Sequence, residues 1–464
     1  MRSCAVGGLM SCHGKNLRPH YDEIACQSQR RMIVKQVRFC GNLLRELACD
    51  NFNPYGLAID HAVHSCWRIM HIEYLRLKNF RAFRDVELRE IPRFCVIVGA
   101  NGAGKSTLFS VFGFLRDAMT ANVSTALSKL GGSRGIQEVR SRNSVGPIEI
   151  ELKFRESTEQ PLVTYQLTIG EKNGSPIVER EVLKYRRGSK GQPWFFLDFA
   201  EGRGEAVTNE MTAVEDVQDL NREEQTLKSP DLLAIKGLAQ FERFPAAVAL
   251  GNLIERWHVS DFHISHARPE QEAGCAEHLS REGENLSLVI EYLHKNHPAI
   301  FRTIVEKLKQ RVPGMTHVES KQTEEGRILL KFQDGVFEDP FLARYVSDGT
   351  IKMLAYLILL YDPTPHPLLC VEEPENQLYP QLLEELAEEF RTYAHRGGQV
   401  FVSTHSPDFL NATQLNEVFW LEKQDGYTRV RRAKDDEQIA AYMNDGDKMG
   451  YLWKQGFFKG ADPQ

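Results

Sequence analysis

Phe94-Cys-Val-Ile-Val-Gly-Ala-Asn-Gly-Ala-Gly-Lys-Ser-Thr107 is the stretch on which the reading of this chain turns. Phe94 to Val98 form an unbroken apolar run closed by a glycine, the pattern of a strand buried on both faces. From Lys105 to about Met119 apolar side chains recur around most of a helix circumference, which predicts a buried helix. Between the two stands a complete Gly-x4-Gly-Lys-Ser/Thr loop: Gly99, Ala100, Asn101, Gly102, Ala103, Gly104, Lys105, Ser106 and Thr107. Its glycines let successive backbone N–H groups close around phosphate oxygens, and the helix N-terminus adds its dipole. Lys105 is expected to meet the β- and γ-phosphates of a bound nucleotide, and Ser106 to ligate Mg2+.

Three further stretches gain meaning from this loop. In Leu368-Leu-Cys-Val-Glu372-Glu373-Pro-Glu-Asn376 an apolar strand ends in paired carboxylates. Alone this is a solvated strand end; after a phosphate loop it predicts Glu372 at the metal and Glu373 polarising the attacking water. In Val400-Phe-Val-Ser-Thr-His405-Ser-Pro407 another apolar run ends in a histidine, expected to reach the γ-phosphate or that water. Ser347-Asp348-Gly349-Thr350 opens the apolar helix Ile351 to Tyr361, and reads either as an anion site or as a simple helix cap.

Alternating runs at Ile148 to Phe154, Leu162 to Ile169, Val178 to Tyr185 and Trp194 to Phe199 predict an antiparallel meander. Between about 210 and 315 the period becomes helical, with Leu286, Val289, Ile290 and Leu293 on one face and Ile300, Ile304 and Leu308 on another. Strand signals return at Arg327 to Phe332, Leu368 to Val371, Val400 to Ser403 and Val418 to Leu421, with an amphipathic helix over Pro380 to Tyr393. The expected fold is α/β: a nucleotide lobe from residues 70–209 and 325–464, a mixed sheet with the meander, and an inserted helical lobe at 210–324.

Residues 1–69 stand apart. They hold six of the nine cysteines (Cys4, Cys12, Cys26, Cys40, Cys49, Cys66) and nine Lys/Arg against five Asp/Glu, whereas the rest of the chain carries a net charge of −10. No Cys-x-x-Cys pair supports a zinc module there. The expectation is an N-terminal extension, disordered or joined to the protein by a mis-assigned start, with Met70 the true first residue.

Taken together, the phosphate loop, Ser347 to Thr350, Glu372 to Asn376, Ser403-Thr-His405-Ser-Pro407 and the opening Leu77-Lys-Asn-Phe-Arg81-Ala-Phe resemble the ABC-type P-loop ATPases. The likeness is to the RecF/SMC-like branch of "AAA family" ATPases, related to the ATPase half of overcoming-lysogenization-defect nucleases. It covers roughly Ile72 to the C-terminus. The resemblance implies a homodimer on ATP binding, in which nucleotide held by Gly99 to Thr107 of one subunit is covered by Ser347 to Thr350 of the other. Arg81 matches an arginine that contacts nucleotide in related heads. The implied setting is DNA repair, chromosome maintenance or defence against mobile elements, with DNA or a separate effector protein as partner. This sequence departs from the family pattern at Asp348 and Thr350, at Glu372 where Asp is usual, and at Tyr379 where His is frequent. Gln137 lies in the interval where the family's loop glutamine falls.

Other readings carry less. His258, His263, His266, Cys275 and His278 crowd into 21 residues, but in no standard zinc spacing. Basic groups at Lys184, Arg186, Arg187 and Lys190, and at Arg429, Arg431, Arg432 and Lys434, suit phosphate backbones or solvated turns. The longest apolar stretch, Met353 to Tyr361, is far short of a bilayer span, so a cytoplasmic protein without a membrane partner is expected. The net charge of −6 excludes a protein basic overall. No acidic cluster follows His405 in the manner of a Toprim nuclease. The rival readings are a slow nucleotide-gated sensor or scaffold controlling an effector, and a transporter ATPase subunit.

Overall fold

β3 (Phe94–Gly99) lies inside a six-stranded sheet with β10 (His258–Ser260), β15 (Leu368–Glu372), β16 (Gln399–Thr404), β17 (Val418–Gln424) and β18 (Tyr427–Arg432). Their order is β10-β15-β16-β3-β17-β18, parallel except for the last pair. Both faces of β3 are covered because its residues alternate between two hydrophobic cores. Cys95 and Ile97 join Phe109, Phe112 and Phe401 on one side. Phe94, Val96 and Val98 join Leu354, Tyr356 and Phe390 on the other. The helix Lys105–Thr120 supplies the first core, and the helices Asp348–Leu360 and Gln381–His395 supply the second. Continuous apolar strands are what this two-sided burial demands.

The computed structural model describes residues 71–155, 162–185, 193–209, 220–335 and 339–461, all within one compact unit. The expectations for residues 1–69, for Met70 and for Arg186, Arg187 and Lys190 lie outside the described residues.

The meander is an eight-stranded antiparallel sheet of β1 (His71–Phe80), β2 (Phe83–Arg89), β4 (Ile148–Arg155), β5 (Val163–Lys172), β6 (Ser175–Tyr185), β7 (Trp194–Ala200), β8 (Arg203–Val207) and β9 (Arg222–Thr226). Every second residue of β4 is buried, and those residues pack into the same core as the helix Lys105–Thr120. Gln399, 1% exposed, ties the two sheets together. Its side-chain oxygen accepts the Ile72 N–H at 2.8 Å, and its amide donates to the carbonyls of Ile72 at 2.9 Å and Pro92 at 3.2 Å. A buried polar side chain so fully paired fixes the register between layers at little desolvation cost.

The stretch 220–324 is more mixed than its helical spacing predicts. β9 extends the meander and β10 forms the edge of the core sheet. Both are short and polar or isolated, so they carry no periodic signal of their own. The helices Leu286–Asn296 and Pro298–Arg311 do bury the predicted faces, although Ile300 is only partly covered. They pack beside a small sheet of β11 (Gln271–Glu272), β12 (Met315–Gln322), β13 (Arg327–Asp334) and β14 (Phe341–Leu342). No helix among the described residues is long and apolar enough to cross a membrane.

Candidate functional site

Register places the polar ends of three apolar strands side by side. Glu372 pairs with Ser403, and Thr404 with Val98, so the segments after β3, β15 and β16 emerge together at the carboxyl edge of the parallel sheet. Open α/β sheets bind ligands at such an edge. A cleft of about 1030 Å3 opens there, lined by Asn101 to Thr107 except Ala103, and by Arg81, Gln137, Arg140 and Glu373. That is the upper end of the size range for small-molecule sites, about 300–1,000 Å3.

The phosphate loop has the backbone its glycines permit. Gly102 and Gly104 sit at φ 75° and 111°, in the left-handed region. A Cβ on Gly104 would also lie 2.9 Å from the Thr428 hydroxyl, which itself donates to the Ala103 carbonyl at 2.7 Å. No side chain caps the helix that follows, and its first turn has no acidic residue. Its N-terminal N–H groups are therefore left for an anion. Lys105 is 6% exposed and donates to the Gly99 carbonyl at 2.8 Å. Burial lowers its pKa, opposed by the charges of Glu373, Glu375 and Glu372.

Glu373 faces this lysine with Oε1 at 3.8 Å. Its own backbone is at φ 41°, outside the usual range for a non-glycine residue. Its N–H donates to the Ser403 carbonyl at 2.9 Å, and Pro374 follows. Strain of this kind persists where the surroundings dictate it, and it clusters at functional sites. The same carboxylate oxygen is 3.4 Å from His405 Nδ1. Glu375 supports the histidine from beneath: its Oε1 accepts the His405 N–H at 2.9 Å and the Thr404 hydroxyl at 2.8 Å. Glu372 is 13% exposed at its side chain, with Arg281 at 4.0 Å. Burial raises its pKa, and a hydrogen bond from the Ser106 hydroxyl works against that. A hydroxyl beside a carboxylate is a hard-oxygen donor set of the kind Mg2+ takes.

Arg81 occupies the turn between β1 and β2 at φ 48°. Its guanidinium donates to the Leu130 carbonyl at 2.6 Å while lining the cleft. Ser347 to Thr350 do not line it. Ser347 caps the helix Asp348–Leu360, its hydroxyl accepting the Thr350 N–H at 3.2 Å. This tetrapeptide is locked instead to the segment following Glu373. Lys352 Nζ donates to the Asn376 carbonyl at 2.9 Å, and a Cβ on Gly349 would meet the Gln377 carbonyl at 2.9 Å. Within one chain the phosphate loop, Glu372, Glu373, His405 and Arg81 are thus brought together, and Ser347 to Thr350 are not.

Sequence reading missed several supporting groups. Arg268 ion-pairs with Asp348 and donates to the carbonyls of Ala343 at 2.8 Å and Val346 at 2.7 Å. Asn79 donates to the Pro147 carbonyl at 3.1 Å and accepts the Ser141 N–H at 3.2 Å, holding a cleft wall. Only Asn79 had a local signal, as part of the opening motif. Of the crowded histidines, His263 and His266 turn to Asp261 and Glu282.

The family described as "AAA domain, putative AbiEii toxin, Type IV TA system" matches residues 94–411. Over 117 residues the chain is 32% identical to the DNA double-strand break repair Rad50 ATPase of Saccharolobus solfataricus, covering 25% of this chain and 13% of that protein. Over 87 residues it is 35% identical to the DNA replication and repair protein RecF of Paenarthrobacter aurescens, covering 18% of this chain and 22% of that one. The matches thus span under a quarter of either relative. Among solved structures, an Smc head bound to the C-winged helix domain of ScpA superposes with a TM-score of 0.49 at 14% identity, covering 78% of this chain and 97% of that one.

Proposed function

The chain belongs to the AAA-domain family that matches its residues 94–411, and from that premise we propose that it is an ATPase of the RecF/SMC-like type whose ATP-bound form is a head-to-head dimer. The observation that carries this reading is the convergence of Lys105, Glu373 and His405 within 3.8 Å and 3.4 Å steps at the mouth of one cleft. Backbone N–H groups of Gly102 to Ser106 and the Lys105 ammonium hold the phosphates. Ser106 and Glu372 would hold Mg2+, which supplies charge neutralisation at the β- and γ-oxygens. Glu373 accepts the proton of the attacking water. His405, its Nδ1 turned to Glu373 and Glu375, orients that carboxylate and contacts the transferred phosphoryl group.

The failure of Ser347 to Thr350 to line the cleft of their own chain supports the dimer, since a second subunit can present the same turn to it. Asp348 and Thr350 bring a carboxylate and a hydroxyl to that turn, unlike the family's usual small residues. The setting we favour is DNA repair or maintenance, or defence against mobile elements, in line with the names of the relatives and of the family.

Glu373→Gln tests the reading directly. The variant should bind ATP with unchanged affinity, lose about 10²–10⁴-fold in turnover, and accumulate as a dimer in saturating MgATP by light scattering. A variant that stays monomeric there refutes the dimer. Parallel assays without DNA, and with single-stranded, duplex and branched DNA, then separate a DNA-stimulated enzyme from one that answers to a protein effector.

A further inference from the structure

At the opposite end of the core sheet the chain gathers a second polar cluster, from residues distant in sequence. His278 lies in the loop before the helix Leu286–Asn296, Asp362 just beyond the helix Asp348–Leu360, and His366 just before β15. One donor atom from each lies within 4.8 Å of the others. We propose that His278, Asp362 and His366 form a site for a divalent transition metal of zinc type, joining the far end of the Ser347-capped helix to the start of the strand that carries Glu372.

His366 is set up as a ligand. Its Nδ1 is 3.0 Å from the Arg256 carbonyl, which can only accept, so the proton sits on Nδ1 and the lone pair on Nε2. That Nε2 is buried and has no hydrogen-bond partner. Histidines that bind a metal through one ring nitrogen commonly donate the other nitrogen's N–H to a carbonyl, as His366 does here.

Asp362 is prepared in the same way. Its side chain is 4% exposed, and Oδ1 accepts the Thr364 N–H at 2.8 Å, which leaves Oδ2 directed at His278 Nδ1 at 2.7 Å. A metal entering here takes the place of the proton shared between those two atoms, and that proton leaves to solvent. Bonds of about 2.0–2.2 Å in a tetrahedral site place donors about 3.3–3.5 Å apart, so the pair must open by less than an ångström. His258, 5% exposed, stacks on His366 with ring centroids 4.7 Å apart and packs the cluster from the strand side. A small cavity of about 230 Å3 bordered by Asp362 and His366 provides access and room for a water as fourth ligand. Two imidazoles and one carboxylate favour zinc or its transition-metal neighbours over Mg2+ or Ca2+.

The full chain, stripped with EDTA, would be titrated with Zn2+ against a chromophoric chelator and, separately, with Co2+. Wild type should take up one equivalent that the His278→Gln/His366→Gln double variant does not, and Asp362→Asn should bind at least about tenfold more weakly. The wild-type-minus-variant Co2+ spectrum should show ligand-field bands without thiolate charge transfer, which separates this site from the chain's cysteines. Equal uptake by wild type and double variant, or thiolate absorption in the difference spectrum, overturns the proposal. A measurement that needs no variant accompanies it: Zn2+ should raise the Tm of the stripped wild type where equimolar Mg2+ does not, and an absent rise counts equally against the site.

Discussion

At the carboxyl ends of β3, β15 and β16, Glu373 stands between Lys105 at 3.8 Å and His405 at 3.4 Å beside an open cleft; at the amino ends of β10 and β15, His258 and His366 stack in a packed interior. Both ends use the same device, a polar residue at the tip of an apolar strand. The difference lies in how their partners are supplied. In the cleft the buried Lys105 ammonium already has protein partners, the Gly99 carbonyl at 2.8 Å and Glu373 at 3.8 Å, and the N–H groups at the start of the helix that follows are left uncapped. That is a site awaiting an anion. At the other end the free groups are lone pairs, such as His366 Nε2, and lone pairs await a cation.

The largest effect expected from breaking this contrast comes from Lys105→Ala. It removes the one buried ammonium in the cleft and should abolish ATP-dependent dimerisation and lower hydrolysis by about 10²–10³-fold. Zn2+ uptake should stay unchanged, since the two ends share no group. Hydrolysis at the wild-type rate would sink the phosphate-loop assignment.

How far the two ends were legible in sequence follows from their construction. The phosphate loop, Glu372 to Asn376 and Thr404 to Ser406 are each contiguous and each follow an apolar run, so order and spacing announced them. The meander strands β4 to β7 were legible for the same reason, each being a single alternating run. β10 was not, having three residues whose burial depends on pairing with β15. Thr428 braces the Ala103 carbonyl from 325 residues away, a contact that no local pattern encodes. Of the histidines crowded between 258 and 278, His278 alone enters the three-residue group, with Asp362 and His366 about 85 residues away, a juxtaposition that no local spacing encodes. Cys275 is exposed and outside the three-residue group.

An intermediate effect should come from Lys352, which belongs to the cleft end although it does not line the cleft. It is 3% exposed, and burial lowers its pKa to about 8 despite the attraction of Glu375, Asp261 and Glu373. Below pH 8 the group is charged in both folded and unfolded chains. Between pH 8 and about 10.5 the unfolded chain holds the proton and the folded chain does not, so this group makes stability rise with pH through that window. The slope is about 1.4 kcal/mol per pH unit. Urea midpoints at pH 7.5, 8.5 and 9.5 should show that component in wild type and lose it in Lys352→Met. Equal slopes would mean that the ammonium is solvated and does not hold Asn376.

The smallest effect is the one that sharpens the comparison most. His366 precedes β15 by two residues and Glu372 ends it, so that strand is a direct path for coupling between the two ends, beside the helix Asp348–Leu360 that Asp362 follows. β15 is hydrogen-bonded on both sides, to β10 and to β16, and its residues Leu368 to Val371 are at most 2% exposed. A strand so enclosed behaves as a rigid member, and substitutions at well-separated sites without shared partners add independently. His366→Gln keeps most of the side-chain volume and should change kcat and KM for ATP by less than about twofold, while the Zn2+-dependent part of the Tm disappears. A tenfold fall in kcat with KM preserved would instead mean that β15 transmits displacement to Glu372 and Glu373, and the amino end of the sheet would then belong to the catalytic machinery.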